Sequence, residues 1–394
     1  MNAYFRSSIC TAAVICYLGA PMGAMPAAAF DPSGNEVADA FLSLLETEDG
    51  KVESYGYVTE SGDTVTITDL QLSHDGGDDS KAKIATAALS SGSILDNGRL
   101  KLGGLKLDSL EIMADDGSLS AGSFSATDLV LPTAEEIEKA GENSVIGPSY
   151  STLEVLDVQI TDEDSNKIEL SRLFTAIDEM DGDLPTASRF AVDGLKVDAE
   201  NLDDDGKKAL ADLGYERMNL SVEGDGRWDP EAATAKINNF MLTGEDVGTL
   251  SLNLSLGGIT RDLVAKLGEV KEPEQAMGLL QGVSVEGISI NLDNSSIVER
   301  ILDMQAKEAG TDRATLVKQL SAGLPFMLSF LQNQPFQDKV ASAATTFLNE
   351  PKSLKVVAAP ASPVPVAQIM GQAMMAPQAL PEILGVDITA NGGN

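Results

Sequence analysis

Between Ala235 and Leu256 the chain reads AKINNFMLTGEDVGTLSLNLSL, and its second half leaves few choices of fold. Leu250, Leu252, Leu254 and Leu256 alternate with Ser251, Asn253 and Ser255. Side chains of a strand alternate between faces, so this is a strand with one apolar and one polar face. The first half alternates too, with a slip. Ala235, Ile237, Phe240 and Leu242 fall at i, i+2, i+5 and i+7, where an unbroken strand wants i+4 and i+6. One extra residue has entered, and a β-bulge absorbs one residue while restoring the face. Gly244-Glu245-Asp246 then supplies a turn.

The slipped pattern, h-x-h-x-x-h-x-h with h apolar, recurs along the chain. It reads VTITDLQL from Val65, LKLGGLKL from Leu100, LKLDSLEI from Leu105, FSATDLVL from Phe124 and LEVLDVQI from Leu153. Further copies are FAVDGLKV from Phe190, AKINNFML from Ala235 and VSVEGISI from Val283. The middle pairs could instead be two-residue hairpin turns. That would leave three-residue arms, which are weak alone, whereas an extra residue keeps the apolar set on one face. The irregular spacing of copies excludes a fixed-period solenoid. The expected fold is α+β, mainly β: a curved antiparallel sheet of bent, bulged strands with short helices and a helical C-terminal third. On this reading Phe240 faces the core, and Phe240→Ala is expected to cost more than replacing Asn238 and Asn239 by Val.

Helical spacing marks residues 31–47 through Val37, Phe41, Leu44 and Leu45. Thr133-Ala134-Glu135-Glu136 reads as a capping-box start. Ile168–Met180 carries Leu170, Leu173, Phe174 and Ile177 at helical spacing, and Asp203–Leu213 is a short helix. After Gly257 the helical share rises: Ile259–Leu267, a start at Pro273, a helix capped by Ser295 or Ser296, Thr311–Leu331 broken at Pro325, and one through Phe336–Phe347. Leu354–Ala359 and Gly385–Asn391 read as strands, with Val366–Met375 a helix between them. The expected organisation is 1–29 a signal peptide, 30–293 a β-rich domain, and 294–394 a helical segment whose terminal strands rejoin the sheet.

The signal reading rests on Arg6, the short apolar run Ile9–Leu18 and the small residues Ala27-Ala28-Ala29. The run is too short to span a bilayer comfortably. Cys10 and Cys16 leave with it, so the mature chain holds together by burial, with no disulfide. This fits a Gram-negative periplasm. A formal net charge of −34 over 394 residues, with 43% hydrophobic content, gives a folded acidic chain with material for a core. It argues against nucleic acid as a partner, because no basic patch exists to displace phosphate counterions.

Catalytic patterns are scarce. His74 is the lone histidine, set in the loop HDGGDDS, and neither a G-x-S-x-G elbow nor a phosphate loop occurs. The metal candidate is Asn201–Asp212, NLDDDGKKALAD. Asn201, Asp203, Asp205 and Asp212 fall on positions 1, 3, 5 and 12 of a calcium loop, with Gly206 on its turn glycine. Asn at position 1 and Lys208 at position 8 depart from the pattern, and Asp203–Asp205 could simply cap the following helix. Asp162–Asn166 begins similarly but lacks the glycine, and reads as a turn. Met370, Met374 and Met375 could line an adaptable binding surface, although Met370 and Met374 share a helical face, as core residues would.

Copies such as VTITDLQL and LKLDSLEI, in a chain with an export signal, resemble strands of AsmA-type envelope proteins from roughly Val65 to Leu292. The tail KSLKVVAAPASPVPVAQIMG resembles that of exported proteobacterial proteins. The resemblance implies a curled sheet with an apolar groove and a link to outer-membrane assembly or lipid movement. The function expected is therefore that of a non-enzymatic periplasmic protein binding a lipid-like ligand or an envelope protein, without a cofactor, on an apolar face covered by helices of the C-terminal third. The alternative is a calcium-dependent adhesive or scaffold protein, carried by the acidic surplus and Asn201–Asp212.

Overall fold

A computed structural model describes residues 30–46, 50–74, 80–133, 136, 149–163, 165–182, 184–270 and 278–392. The signal segment, Asp75–Asp79 of the histidine loop and Pro273 lie outside them. The protein is mainly β, one large antiparallel open sheet of 17 strands, with eight α-helices among the described residues. Contacts divide it into two compact units. One holds residues up to Ile177 and Ala191–Leu202; the other holds Asp178–Phe190 and Asp203–Asn394. Asp293, the expected boundary, lies inside the second unit.

The first unit begins with α1 (Glu36–Leu45), capped by Asn35, whose side chain accepts from the N–H groups of Val37 and Ala38. Strands β1 (Gly50–Ser54), β2 (Val58–Ser61), β3 (Thr64–His74), β4 (Ser80–Ser90), β5 (Ser93–Ile94), β6 (Leu100–Ala114), β7 (Gly117–Leu131), β8 (Thr152–Asp162) and β9 (Lys167–Asp181), the last as far as Ile177, follow. The antiparallel order β3-β4-β6-β7-β8-β9 is a meander. β9 corrects the helix expected over Ile168–Met180. Ile168, Leu170 and Leu173 fit the first three apolar positions of the slipped strand pattern, with Thr175 on the fourth, and its three-residue step imitates a helical one.

The slipped pattern works differently in this unit from a single bulge. Thr68 pairs with Thr86 and Leu70 with Ile84, so Asp69 faces Ala85 with no change of register. Ala85 in turn faces Ser109, Ser109 faces Gly122, Gly122 faces Asp157, and Asp157 faces Ser171, each without a slip. Gly194 of β10 (Leu184–Asp198) extends the row: a Cβ there would lie 2.3 Å from Ser171 Oγ. Every strand carries the extra residue at the same level, so neighbours stay in phase. Along the row φ is positive on alternate strands, at Asp69, Ser109, Asp157 and Gly194. Ser91, Gly103 and Asp128 form a second row with the same alternation, positive at Ser91 and Asp128. The two overlapping copies in β6 are these two rows.

The pattern thus keeps apolar residues on one face across each slip: Ile67 and Leu70, Ile84 and Ala87, Leu102 and Leu105, Leu107 and Leu110 are all buried. Helix α1 lays Ala38, Phe41, Leu42 and Leu45 into the same core. The capping box is present at Thr133: Glu136 N–H donates to Thr133 Oγ1 at 3.2 Å, and Thr133 N–H donates to Glu136 Oε2 at 2.9 Å. Hydrogen bonds from the Arg99 guanidinium, at 2.8 Å, and then from the Thr133 N–H hold the Glu136 carboxyl down at about 2. A depressed carboxylate stabilises the fold above its unfolded value, and that contribution fades as pH falls. The expected result is that Glu136→Gln flattens the urea-midpoint profile between about pH 4.5 and 2, with little effect on its shape at higher pH. A parallel downward shift at every pH would show that the charge is irrelevant.

In the second unit, α2 (Asp204–Asp212) precedes β11 (Arg217–Asp229), β12 (Thr234–Gly244) and β13 (Gly248–Gly257). Next come α3 (Arg261–Glu269) and β14 (Ser284–Asn294), then α4 (Ile297–Glu308), α5 (Arg313–Leu328) and α6 (Gln334–Asn349). β15 (Ser353–Ala358), β16 (Val364–Pro365), α7 (Val366–Met375), α8 (Leu380–Ile383) and β17 (Val386–Ala390) complete it. The terminal strands do rejoin the sheet, in the antiparallel order β11-β12-β13-β14-β15-β17. Strand β12 runs through Asn238-Asn239, which removes the hairpin alternative there. Here the extra residue is unmatched by the neighbours, and the register slips by one on both sides of β12. α4 starts after Ser296, but its N-terminal donor goes elsewhere than expected: Val298 N–H donates to Asn294 Oδ1 at 3.0 Å, while the Ser296 hydroxyl donates to Asp246 O.

Candidate functional site: an uncovered apolar sheet face

Directly paired residues share a face, so the register of the second unit sorts its side chains. One row holds Leu242, Leu250, Leu292, Leu354 and Ala390. The next holds Phe240, Leu252, Ile290, Val356 and Ile388, and the third Ile237, Leu254, Ile288, Ala358 and Val386. Every member is apolar. The opposite face is mostly polar, with Thr243, Thr249 and Asp293 in one row and Ser251, Asn291, Lys355 and Thr389 among the others.

No residue of the three apolar rows is buried. Ile237, Leu242, Leu250 and Ile290 are 38–41% exposed, and the other eleven side chains of the rows are part-buried. At about 4.8 Å between strands, five strands give a floor roughly 19 Å wide. A patch of that order exceeds the scattered exposed apolar residues of an ordinary surface. Its wall continues toward β10 through Phe190, whose ring lies 6.4 Å from that of Phe240. They meet over Gly224, where a Cβ would come 3.0 Å from the Phe190 ring. One end of the face is closed: Trp228 Nε1 donates to Ile259 O at 2.7 Å, and Val283, Val285, Leu263 and Val364 are buried there.

The helices expected to cover this face leave every one of its side chains at least partly exposed. Lys339 of α6 pairs with Asp387 of β17 and holds its carboxyl below the usual range. Asp387 lies between Val386 and Ile388 and so points to the polar side, and the Lys339 amine reaches it there from α6. The sequence shows three amphipathic helices and an apolar strand face, but not which face the helices choose.

The calcium-loop residues are placed as a helix start. Asp203 caps α2 by accepting from Gly206 N–H at 2.7 Å. Asn201 ends a short turn, while Asp205 and Asp212 sit in the first and last turns of α2, about 10 Å apart by helical rise. No group of three or more His, Cys, Asp or Glu among the described residues is placed to hold a metal. His74 ends β3 opposite Ser80. Asp162–Asn166 is a turn, with Asn166 N–H donating to Asp162 Oδ1 at 2.8 Å. Met374 and Met375 are 86% and 87% exposed, so the core reading of this group is wrong. Among the described residues no helix is long and apolar enough to cross a membrane.

A comparison with curated proteins finds no match. A family model whose description is "Uncharacterized protein" matches residues 241–391, which run from the middle of β12 to the end of β17 and include most of the uncovered face.

Proposed function

We propose that this is a non-enzymatic protein of the Gram-negative periplasm, exported by residues 1–29, that binds a lipid-like ligand on the apolar face of β12–β15 and β17. The carrying observation is that three apolar rows lie in register with none of their side chains buried. Apolar area left in water costs roughly 25 cal/mol per Å², so a ligand of matching character gains that energy on arrival. The resemblance of the strands to AsmA-type envelope proteins supports the same reading. The extra residues of β12 and β14 would curl the floor so that an acyl chain touches more than one row.

The test is native mass spectrometry and lipid extraction of residues 30–394 purified from a Gram-negative host. The expected result is a co-purifying apolar ligand, lost in Leu250→Asn and retained in Ser251→Asn, its neighbour on the polar face. Purified protein free of lipid and unable to bind an apolar dye overturns the reading. So does equal loss in both variants.

A further inference from the structure

The second unit carries another exposed apolar group, away from the strand rows. Phe326 and Met327 near the end of α5 are 84% and 61% exposed, and Met374 and Met375 at the end of α7 are the two exposed methionines noted above. Asn333 Nδ2 donates to Gln378 O at 3.3 Å. That bond ties the segment after α5 to the segment after α7. Phe326 lies seven residues before Asn333 in the chain, and Met375 three residues before Gln378.

Charge singles out the same place. The chain is 22% charged, yet residues 319–337 and 356–381 contain no Asp, Glu, Lys or Arg. These stretches contain the four exposed side chains and both partners of the Asn333–Gln378 bond. Entry into a bilayer is opposed mainly by charge, and an interfacial group binds in proportion to its buried apolar area. Elsewhere the acidic surface would be repelled by anionic lipid. A protein partner for so acidic a molecule would offer cations, and nothing here receives them. We propose that the joined ends of α5 and α7 form a membrane-docking tip, which inserts Phe326, Met327, Met374 and Met375 into the headgroup–acyl boundary of a bilayer. The tip uses residues separate from the ligand face, so either can hold if the other fails.

Flotation with phosphatidylcholine vesicles, using residues 30–394, tests it. Flotation is expected, falling at least tenfold in Phe326→Ser/Met375→Ser and unchanged in Leu250→Asn. Replacing a third of the lipid by phosphatidylglycerol should weaken it. A Phe326→Trp variant should show a blue-shifted emission on adding vesicles, which the parent, with Trp228 alone, does not. No flotation, or flotation that the double serine variant keeps, overturns the proposal. Sedimentation showing a dimer that the double serine variant dissolves, with no flotation, would assign the tip to a second copy of the chain and also overturn it.

Discussion

Phe41→Ala should lower the stability of the first unit by about 3–5 kcal/mol, read as a fall in its urea midpoint. Phe41 is 2% exposed and is the largest side chain that α1 contributes to the core. It meets an apolar void of about 40 Å³ lined by Leu72, Ala82, Ile84, Leu105, Leu107, Leu110 and Phe124. Removing the ring enlarges a cavity that already exists, and close-packed strands on the far side cannot move in to fill it. The cost therefore lies near the upper end of the range. A loss below about 1 kcal/mol would mean that α1 is not needed as a cover over this face.

The double change Asn238→Val/Asn239→Val should cost about 3 kcal/mol, and Phe240→Ala only about 1–2 kcal/mol. This reverses the order that the sequence suggests. Phe240 is on the uncovered face and is only partly buried, so its truncation removes contact with Phe190 and little burial. Asn239 has φ +48°, a region that β-branched residues resist. Its side-chain amide and that of Asn238 donate to the two carboxylate oxygens of Asp225, at 3.0 and 2.9 Å. Both bonds vanish with valine, and Asp225 is left beside two apolar groups. Urea melts of the two variants decide between the orders; a phenylalanine truncation more damaging than the double valine would show that a cover lies over this face.

Most elements were legible because alternation and helical stripes are local signals. Val366–Met375 and the strand at Leu354 were readable to within a residue or so. The misses share a cause. Ala82–Leu89 and Leu119–Ala126 obey the slipped pattern, but their middle pairs, Ala85-Thr86 and Gly122-Ser123, sit on strands where the row keeps φ negative. Asp69, Ser109 and Asp157 announce themselves as turn-like residues; Ala85 does not. At Ser171-Arg172 the middle pair includes Arg172, which bonds Glu154 at 2.7 Å and Asp193 at 3.2 Å, and the stretch passed for a helix. The candidate site was half legible. The apolar rows could be counted, but their exposure depends on how the C-terminal helices pack, which rests on long-range contacts such as Lys339 with Asp387.

The alternation of φ along the first unit's row gives its strands a parity. Strands of one kind supply the left-handed residue, at Asp69, Ser109, Asp157 and Gly194, and strands of the other kind, at Ala85, Gly122 and Ser171, lie between them. Two strands of the same kind never stand side by side there. The smallest module that can be copied or lost without placing like beside like is therefore a hairpin. A single strand removed would put two left-handed residues, or none, against each other across one ladder. A sheet built this way grows in steps of two.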